Sequence, residues 1–253
     1  LCLAWLNKEL AVRIPRIHQP GSLASGAVVE LSDSAANHVT RVLRLSAGAA
    51  LTLFNGEGGE YAAHLHEVGK RSATAAVGEF SARETESPLA ITLAQGIAKG
   101  ERMDYTIQKA TELGVVRLVP LVTERCNVRL SGERWEKKLQ HWQAVAVSAC
   151  EQCGRNRIPV IEHPLSLETW LAQDQNELRL TLDPLADGGI AAIADTPSQV
   201  SLLVGPEGGL SEVELKSAQR AGYRGIQLGP RVLRTETAGV AALAVLQARW
   251  GDL

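Results

Sequence analysis

One short polar stretch, Ser81-Ala82-Arg83-Glu84-Thr85-Glu86-Ser87-Pro88, separates two kinds of sequence. It has no apolar periodicity and ends in proline, so it reads as a linker. Before it, the apolar runs Val28–Leu31, Ala49–Phe54, Tyr61–Val68 and Ser72–Val77 are parted by turns that carry Gly48, Gly56-Glu57-Gly58-Gly59 and Gly69. Tyr61-Ala62-Ala63-His64-Leu65-His66 partly alternates, as a strand buried on one face does. One helix, about Asp33–Leu43, interrupts these strands. The pattern predicts a small β-barrel. After the linker, strands alternate with helices. Leu89–Ala94, Val115–Val122, Leu178–Leu182, Val200–Val204 and Ile226–Leu228 are the predicted strands. Met103–Leu113, Glu133–Cys150, Ser211–Ala221 and Thr235–Trp250 are the predicted helices. Trp135, Leu139, Trp142 and Ala146 fall on one face of the second helix. Ser211 and Glu214 form a capping box at the start of the third. Such alternation predicts an α/β domain with a parallel sheet covered on both faces. The expected division is an extension over 1–11, a barrel over 12–82, a linker over 83–88 and the α/β domain over 89–253.

Composition removes several classes. With 253 residues, 45% of them hydrophobic, and a net charge of −2, the chain is neither disordered nor coated with cations. No apolar run reaches the ~18 residues of a membrane-spanning helix. The apolar start Leu1–Leu6 is ended by Asn7, Lys8 and Glu9, which is too short for a signal-peptide core. Four cysteines make no disulfide framework and fit a reducing cytosol. Cys150 and Cys153 form a C-x-x-C without a second pair, and His141 and His163 fit no standard zinc spacing. His64 and His66 alternate on a strand as an ordinary exposed face does, so no metal is expected. Charge is uneven along the chain: residues 95–160 carry 11 basic and 7 acidic side chains, and residues 161–253 carry 7 and 12. The middle segment, at +4, is where an anionic partner would dock.

Two loops stand at the carboxyl ends of predicted strands, where α/β sheets bind ligands. One is Gly205-Pro206-Glu207-Gly208-Gly209. The other is Leu228-Gly229-Pro230-Arg231-Val232-Leu233-Arg234-Thr235-Glu236-Thr237-Ala238. Glycines let backbone approach a ligand and prolines stiffen the turn. Neither loop is a dinucleotide fingerprint or a P-loop.

Together these loops strongly resemble those of the bacterial small-subunit (16S) ribosomal RNA uridine-N3 methyltransferases, of the SPOUT superfamily. Arg13-Ile14-Pro15-Arg16-Ile17, His38-Val39-Thr40-Arg41-Val42-Leu43-Arg44, Glu112-Leu113-Gly114, Glu124-Arg125-Cys126, Glu151-Gln152-Cys153-Gly154-Arg155-Asn156 and Trp250-Gly251-Asp252-Leu253 extend the match over about residues 12–253. The resemblance implies a PUA-like RNA-binding barrel followed by a trefoil-knotted methyltransferase domain, in a cytoplasmic homodimer. It implies S-adenosylmethionine as cofactor and 16S rRNA, within the assembled small subunit, as substrate. The family begins with methionine where this chain has Val12, which marks residues 1–11 as an extension.

On this resemblance Gly205, Pro206, Glu207, Gly208, Gly209, Leu228, Gly229, Pro230, Val232 and Leu233 wrap the cofactor, with Leu182, Glu236, Thr237 and Ala238 beside it. Leu182 could equally be plain core, and Glu236 could simply oppose a helix dipole. Methyl transfer to uracil N3 needs alignment, and either loss of the N3 proton or stabilisation of charge on the neighbouring carbonyl oxygens. Arg234 is the candidate for the charge and Glu207 the alternative base. A salt bridge from Arg234 to Glu236 or Glu207 is the competing reading of that arginine. Arg13, Arg16, Arg41 and Arg44 are RNA candidates in the first domain, the last two on one side of the predicted helix. Arg125, Arg129, Arg155, Asn156 and Arg157 are those of the middle segment. With only 10 aromatic residues (Trp 5, Tyr 3, Phe 2), phosphate and shape contacts are expected to outweigh base stacking. The alternative is a non-catalytic rRNA-binding or ribosome-assembly module with the same fold; a small-molecule α/β enzyme is a third reading.

Overall fold

A computed structural model of the chain describes residues 14–128, 132–194 and 196–253. The expected extension over 1–11, Arg13 and Arg129 lie outside the described residues. The chain forms two compact units that meet in sequence at Glu84 and Thr85.

The first unit is a five-stranded sheet of β1 (Arg16–His18), β2 (Val28–Glu30), β3 (Ala50–Phe54), β4 (Glu60–Val68) and β5 (Ala73–Ser81), in the order β1-β3-β4-β5-β2. All pairs are antiparallel except β1 with β3. Leu51 and Leu53, Ala63 and Leu65, and Ala73, Ala75 and Val77 share one face and pack on Ile17, Ala35, Ala36 and Val39. The alternation visible in β4 is this burial pattern. The predicted helix over Asp33–Leu43 breaks into two pieces. α1 (Asp33–Asn37), capped by Ser32, runs into a π-helical turn over His38–Val42. Arg44 follows in the left-handed region at φ 53°. Arg41 and Arg44 therefore do not share a helix face, which corrects the spacing argument that joined them. Both are exposed, and neither pairs with Glu30 or Asp33 among the described residues.

The second unit is a parallel sheet of β6 (Ala90–Gly96), β7 (Val115–Val122), β8 (Val160–Ile161), β9 (Leu165–Ser166), β10 (Leu178–Leu182), β11 (Gln199–Val204) and β12 (Arg224–Ile226). Its order is β12-β10-β11-β6-β7-β8, with β9 also on β7. The helices are α2 (Glu101–Glu112), α3 (Glu133–Cys153), α4 (Leu167–Gln173), α5 (Glu212–Arg220) and α6 (Thr235–Trp250). Successive strand residues serve opposite faces. Leu93, Leu118 and Leu202 pack with Met103, Ile107, Trp142, Leu243 and Leu246 on the α2–α3–α6 side. Ala94, Val119 and Leu203 pack with Leu167, Trp170, Ala218 and Tyr223 on the α4–α5 side. Burial on both faces explains why these strands read as continuous apolar runs. α5 starts at the expected capping box, with both of its reciprocal bonds formed. The last strand lies two residues earlier than the expected Ile226–Leu228, which leaves Leu228 free to line the site. β1, the two-residue β8 and β9, and α4 were not expected: each is too short to carry a period of its own.

β6 is followed outward by β7, β8 and β9, after which the chain returns to β10 and β11 on β6's other side. The order thus reverses between β6 and β11, and open sheets bind ligands at the carboxyl ends of such a pair.

Candidate active site

Val204 of β11 is in register with Gln95 of β6, which places Gly205, the first residue past β11, beside Gly96 at the end of β6. A cavity of about 660 Å³ opens there, within the ~300–1,000 Å³ usual for small-molecule sites. Leu182, Gly205–Leu210, Ile226–Gly229, Arg231–Glu236 and Ala238 line it, with Arg102 and Arg125 at its border. The two loops picked out in the sequence therefore form walls of one cavity. Of the expected cofactor residues, Pro230 and Thr237 stand outside the lining, and both are exposed. Asp183, Pro184, Leu185, Glu212, Leu215 and Gln227 line it without having been picked out.

Backbone packs closely at this junction. Thr235 Oγ1 donates to the Gly205 carbonyl (2.5 Å) and accepts from Gln95 Nε2 (2.9 Å), so the start of α6 is tied to the end of β11 through a residue of β6. The Gly209 N–H closes the first loop on the Pro206 carbonyl at 2.8 Å. Arg125 Nη1 donates to the Gly208 carbonyl at 2.9 Å, and Glu214 accepts from the N–H groups of both Ser211 and Glu124 at 2.8 Å. The loop after β7 is thereby pinned to the glycine-rich loop. Arg125, expected at RNA, supports the cavity wall and stays exposed.

The acidic groups are not held as expected. Arg234 is the exposed N-cap residue of α6, and among the described residues it pairs with neither Glu207 nor Glu236. Both carboxylates belong to Arg102 instead: Nη1 is 2.8 Å from Glu207 Oε1, and Nε is 3.7 Å from Glu236 Oε1. Glu207 Oε1 also accepts from the Lys99 N–H at 2.8 Å. Partial burial pushes the Glu207 carboxyl up, but the Lys99 N–H, its own N–H and Arg102 together hold it below the usual carboxylate range. A carboxylate so stabilised is a weak proton acceptor at neutral pH, which counts against Glu207 as the base. Glu236 Oε2 is buried with no hydrogen-bond partner among the described residues.

Several RNA candidates are placed elsewhere. Arg155 is 3% exposed, and its guanidinium binds Glu86 (Nη2 to Oε2, 2.5 Å) and the carbonyls of Thr111 (2.8 Å) and Val115 (2.9 Å). Asn156 is fully buried. These two are structural, which corrects their assignment to RNA. Arg16 pairs with Glu60 and stacks on Phe54, so it also serves the fold of its own unit. Arg157, beside Arg155, is exposed. Cys150 is buried with its thiol on the Arg157 carbonyl, and among the described residues no cluster of three His, Cys, Asp or Glu side chains could hold a metal.

Comparisons with known proteins identify the family. A family model described as an RNA methyltransferase domain matches residues 85–247, and one described as an RNA methyltransferase PUA domain matches residues 31–77. The chain belongs to this class of two-domain RNA methyltransferases. Within it, the chain is 37% identical over 242 residues to the Ribosomal RNA small subunit methyltransferase E of Buchnera aphidicola, covering 95% of this chain and 98% of the relative. A solved Ribosomal RNA small subunit methyltransferase E from Neisseria gonorrhoeae, bound to S-adenosyl methionine, matches with TM-score 0.89 and 38% identity, covering 95% of this chain and 99% of that one. A Legionella pneumophila protein solved with the cofactor SAM matches with TM-score 0.94 and 44% identity, covering 96% and 100%. The chain is a member of the small subunit methyltransferase E family.

Proposed function

We propose that the protein transfers a methyl group from S-adenosylmethionine to N3 of a specific uridine in 16S rRNA, within the small ribosomal subunit. The observation that carries this reading is the meeting of both glycine-bearing loops around one cavity at the β6–β11 reversal, in a chain of this family. The residues fit the cofactor. Leu182, Leu228 and Ile226 offer apolar contacts, and the loops Gly205–Gly209 and Leu228–Leu233 offer backbone groups. Glu236 Oε2, buried without a hydrogen-bond partner among the described residues, is costly left so and suits a donor group of the cofactor that bears positive charge. Bound there, the cofactor supplies an electrophilic methyl on a sulfonium.

Arg234 then stabilises the negative charge that grows on the uracil carbonyl oxygens as N3 becomes nucleophilic. Among the described residues it has no carboxylate partner, which suits it to this work, and Glu207, held by Arg102, serves the loop. Arg41, Arg44 and Arg157 are exposed cations for RNA phosphate. The target base must leave its stack to reach the methyl group. The family resemblance supports a knotted second domain and action as a cytoplasmic homodimer, the latter tested by light scattering of the purified chain. No helix among the described residues is long and apolar enough to cross a membrane.

The test is incubation with tritiated S-adenosylmethionine and small subunits lacking the modification, followed by mapping of the labelled nucleoside. Label in 3-methyluridine is expected. Cofactor binding without transfer to any RNA or particle favours the non-catalytic binding module, and no cofactor binding sinks both readings. Arg234→Ala should lower turnover by about a hundredfold, with cofactor affinity nearly unchanged. An unchanged rate removes Arg234 from the mechanism.

A further inference from the structure

We propose that Arg102 is a positioning residue for the methyl donor: its guanidinium clasps the two acidic walls of the cavity and holds Glu236 in place for a cationic ligand. This rests on the reading that the cavity takes S-adenosylmethionine. Arg102 is the second residue of α2, and neither loop singled out in the sequence contains it. Its two partners come from different walls. Glu207 belongs to the loop after β11, and Glu236 to the first turn of α6. Two carboxylates on facing walls repel each other, so the walls need a cation between them.

The two partners are secured unequally. Glu207 has the Lys99 N–H as a second donor at 2.8 Å. Glu236 has, among the described residues, no ion pair except that with Arg102, and its Oε2 is buried without a partner. Arg102 therefore accounts for Oε1 and leaves Oε2 for a donor that none of the described residues supplies. Any hydrogen-bond donor can satisfy that oxygen, a donor that also bears positive charge does so most strongly, and an anion leaves it unsatisfied. The planar fork of arginine can address two carboxylates from different nitrogens at once, which a lysine ammonium on one flexible stem does less well. At 43% side-chain exposure Arg102 is also accessible from the cavity mouth, so loss of its bonds opens the wall without emptying the core.

The experiment is calorimetric titration of the full-length chain with S-adenosylmethionine, paired with steady-state methylation of small subunits and thermal unfolding of each variant without ligand. Arg102→Met should weaken cofactor binding about tenfold and raise KM for the cofactor in step, with kcat at saturating cofactor within about twofold of wild type. Arg102→Lys should recover part of the affinity. Glu236→Gln should weaken binding in the wild-type background but add little to Arg102→Met, because the two act as one unit. Should Arg102→Met not fold, Arg102→Lys and Glu236→Gln carry the same comparison. Wild-type affinity in Arg102→Met, a loss of kcat without a change in affinity, or independent multiplication of the two losses overturns the proposal. Failure of the wild-type chain to bind the cofactor overturns the underlying reading of the cavity, and this role with it.

Discussion

Gly96→Ala tests how the cavity wall is built. Gly96 ends β6, and the loop after β11 rests on it. A Cβ at this position lies 2.5 Å from the Pro206 nitrogen, 2.6 Å from Pro206 Cδ and 2.9 Å from the Gly205 carbonyl carbon. Ordinary van der Waals contact begins near 3.4 Å, so the obstacle must retreat by roughly 1 Å. It cannot do so by turning a side chain, because it is backbone and a proline ring. The β6–β11 register is fixed over six residue pairs from Gln199↔Ala90 to Val204↔Gln95, so the displacement falls on Gly205–Gly209. Overpacking of this kind costs about 1–3 kcal/mol of stability. A shift of ~1 Å in a positioning wall costs up to about a hundredfold in rate.

Two neighbouring substitutions make the comparison sharp. A Cβ on Gly208 meets Arg125 Cβ at 3.0 Å and Cδ at 3.5 Å, a milder approach than that at Gly96, which asks the Arg125 segment to give by only a few tenths of an ångström. A Cβ on Gly209 meets nothing within 4 Å, but its φ of +67° imposes a strain of about 1–2 kcal/mol on any L residue. Titration with S-adenosylmethionine, alongside thermal unfolding and methylation rates, should therefore rank Gly96→Ala as the most damaging to cofactor affinity and Gly208→Ala as the least. Gly209→Ala should lose stability more than affinity. Wild-type affinity in Gly96→Ala, or a greater loss in Gly208→Ala, would refute the claim that the loop is seated on Gly96.

Arg155→Ala should destabilise the fold by about 3–5 kcal/mol in a thermal melt, because it strands Glu86 and two backbone carbonyls. A normal melt with weakened RNA binding would restore Arg155 to the RNA surface. Arg41→Ala with Arg44→Ala should weaken RNA binding and reduce the slope of log affinity against log salt by up to about 2. An unchanged slope would show that neither arginine meets phosphate. Glu207 is held below the usual carboxylate range, so the stability it adds is complete above its ordinary pKa and is lost as pH falls through the lowered one. Glu207→Gln should remove that acid-side loss from a melting curve measured against pH, and an acid limb identical to wild type would refute the assignment.

Periodicity reached some of this and not the rest, for a physical reason. Strands buried on both faces and helices of three or more turns repeat their pattern locally, so β10, β11, α5 and α6 could be read from a few adjacent residues. The two site loops are each contiguous, and their glycines sit at strand ends, so they too were legible. A charged side chain is different, because its role depends on what meets it from far along the chain. Arg155 and Arg157 are two positions apart in the same basic stretch, yet Glu86, 69 residues away from Arg155, takes the first into the interior while the second stays exposed. Arg102 finds Glu207 across 105 residues. Arg117 pairs with Glu162, just beyond the segment counted as basic. The +4 of residues 95–160 thus overstates what that segment offers an anion. Three of its cations are paired with carboxylates counted in other segments. The sum by segment fails because ion pairs ignore segment boundaries. At the cavity itself the exposed cations Arg231 and Arg234 come from the segment counted as acidic, so the positive charge local to the site is not where the count by segment put it.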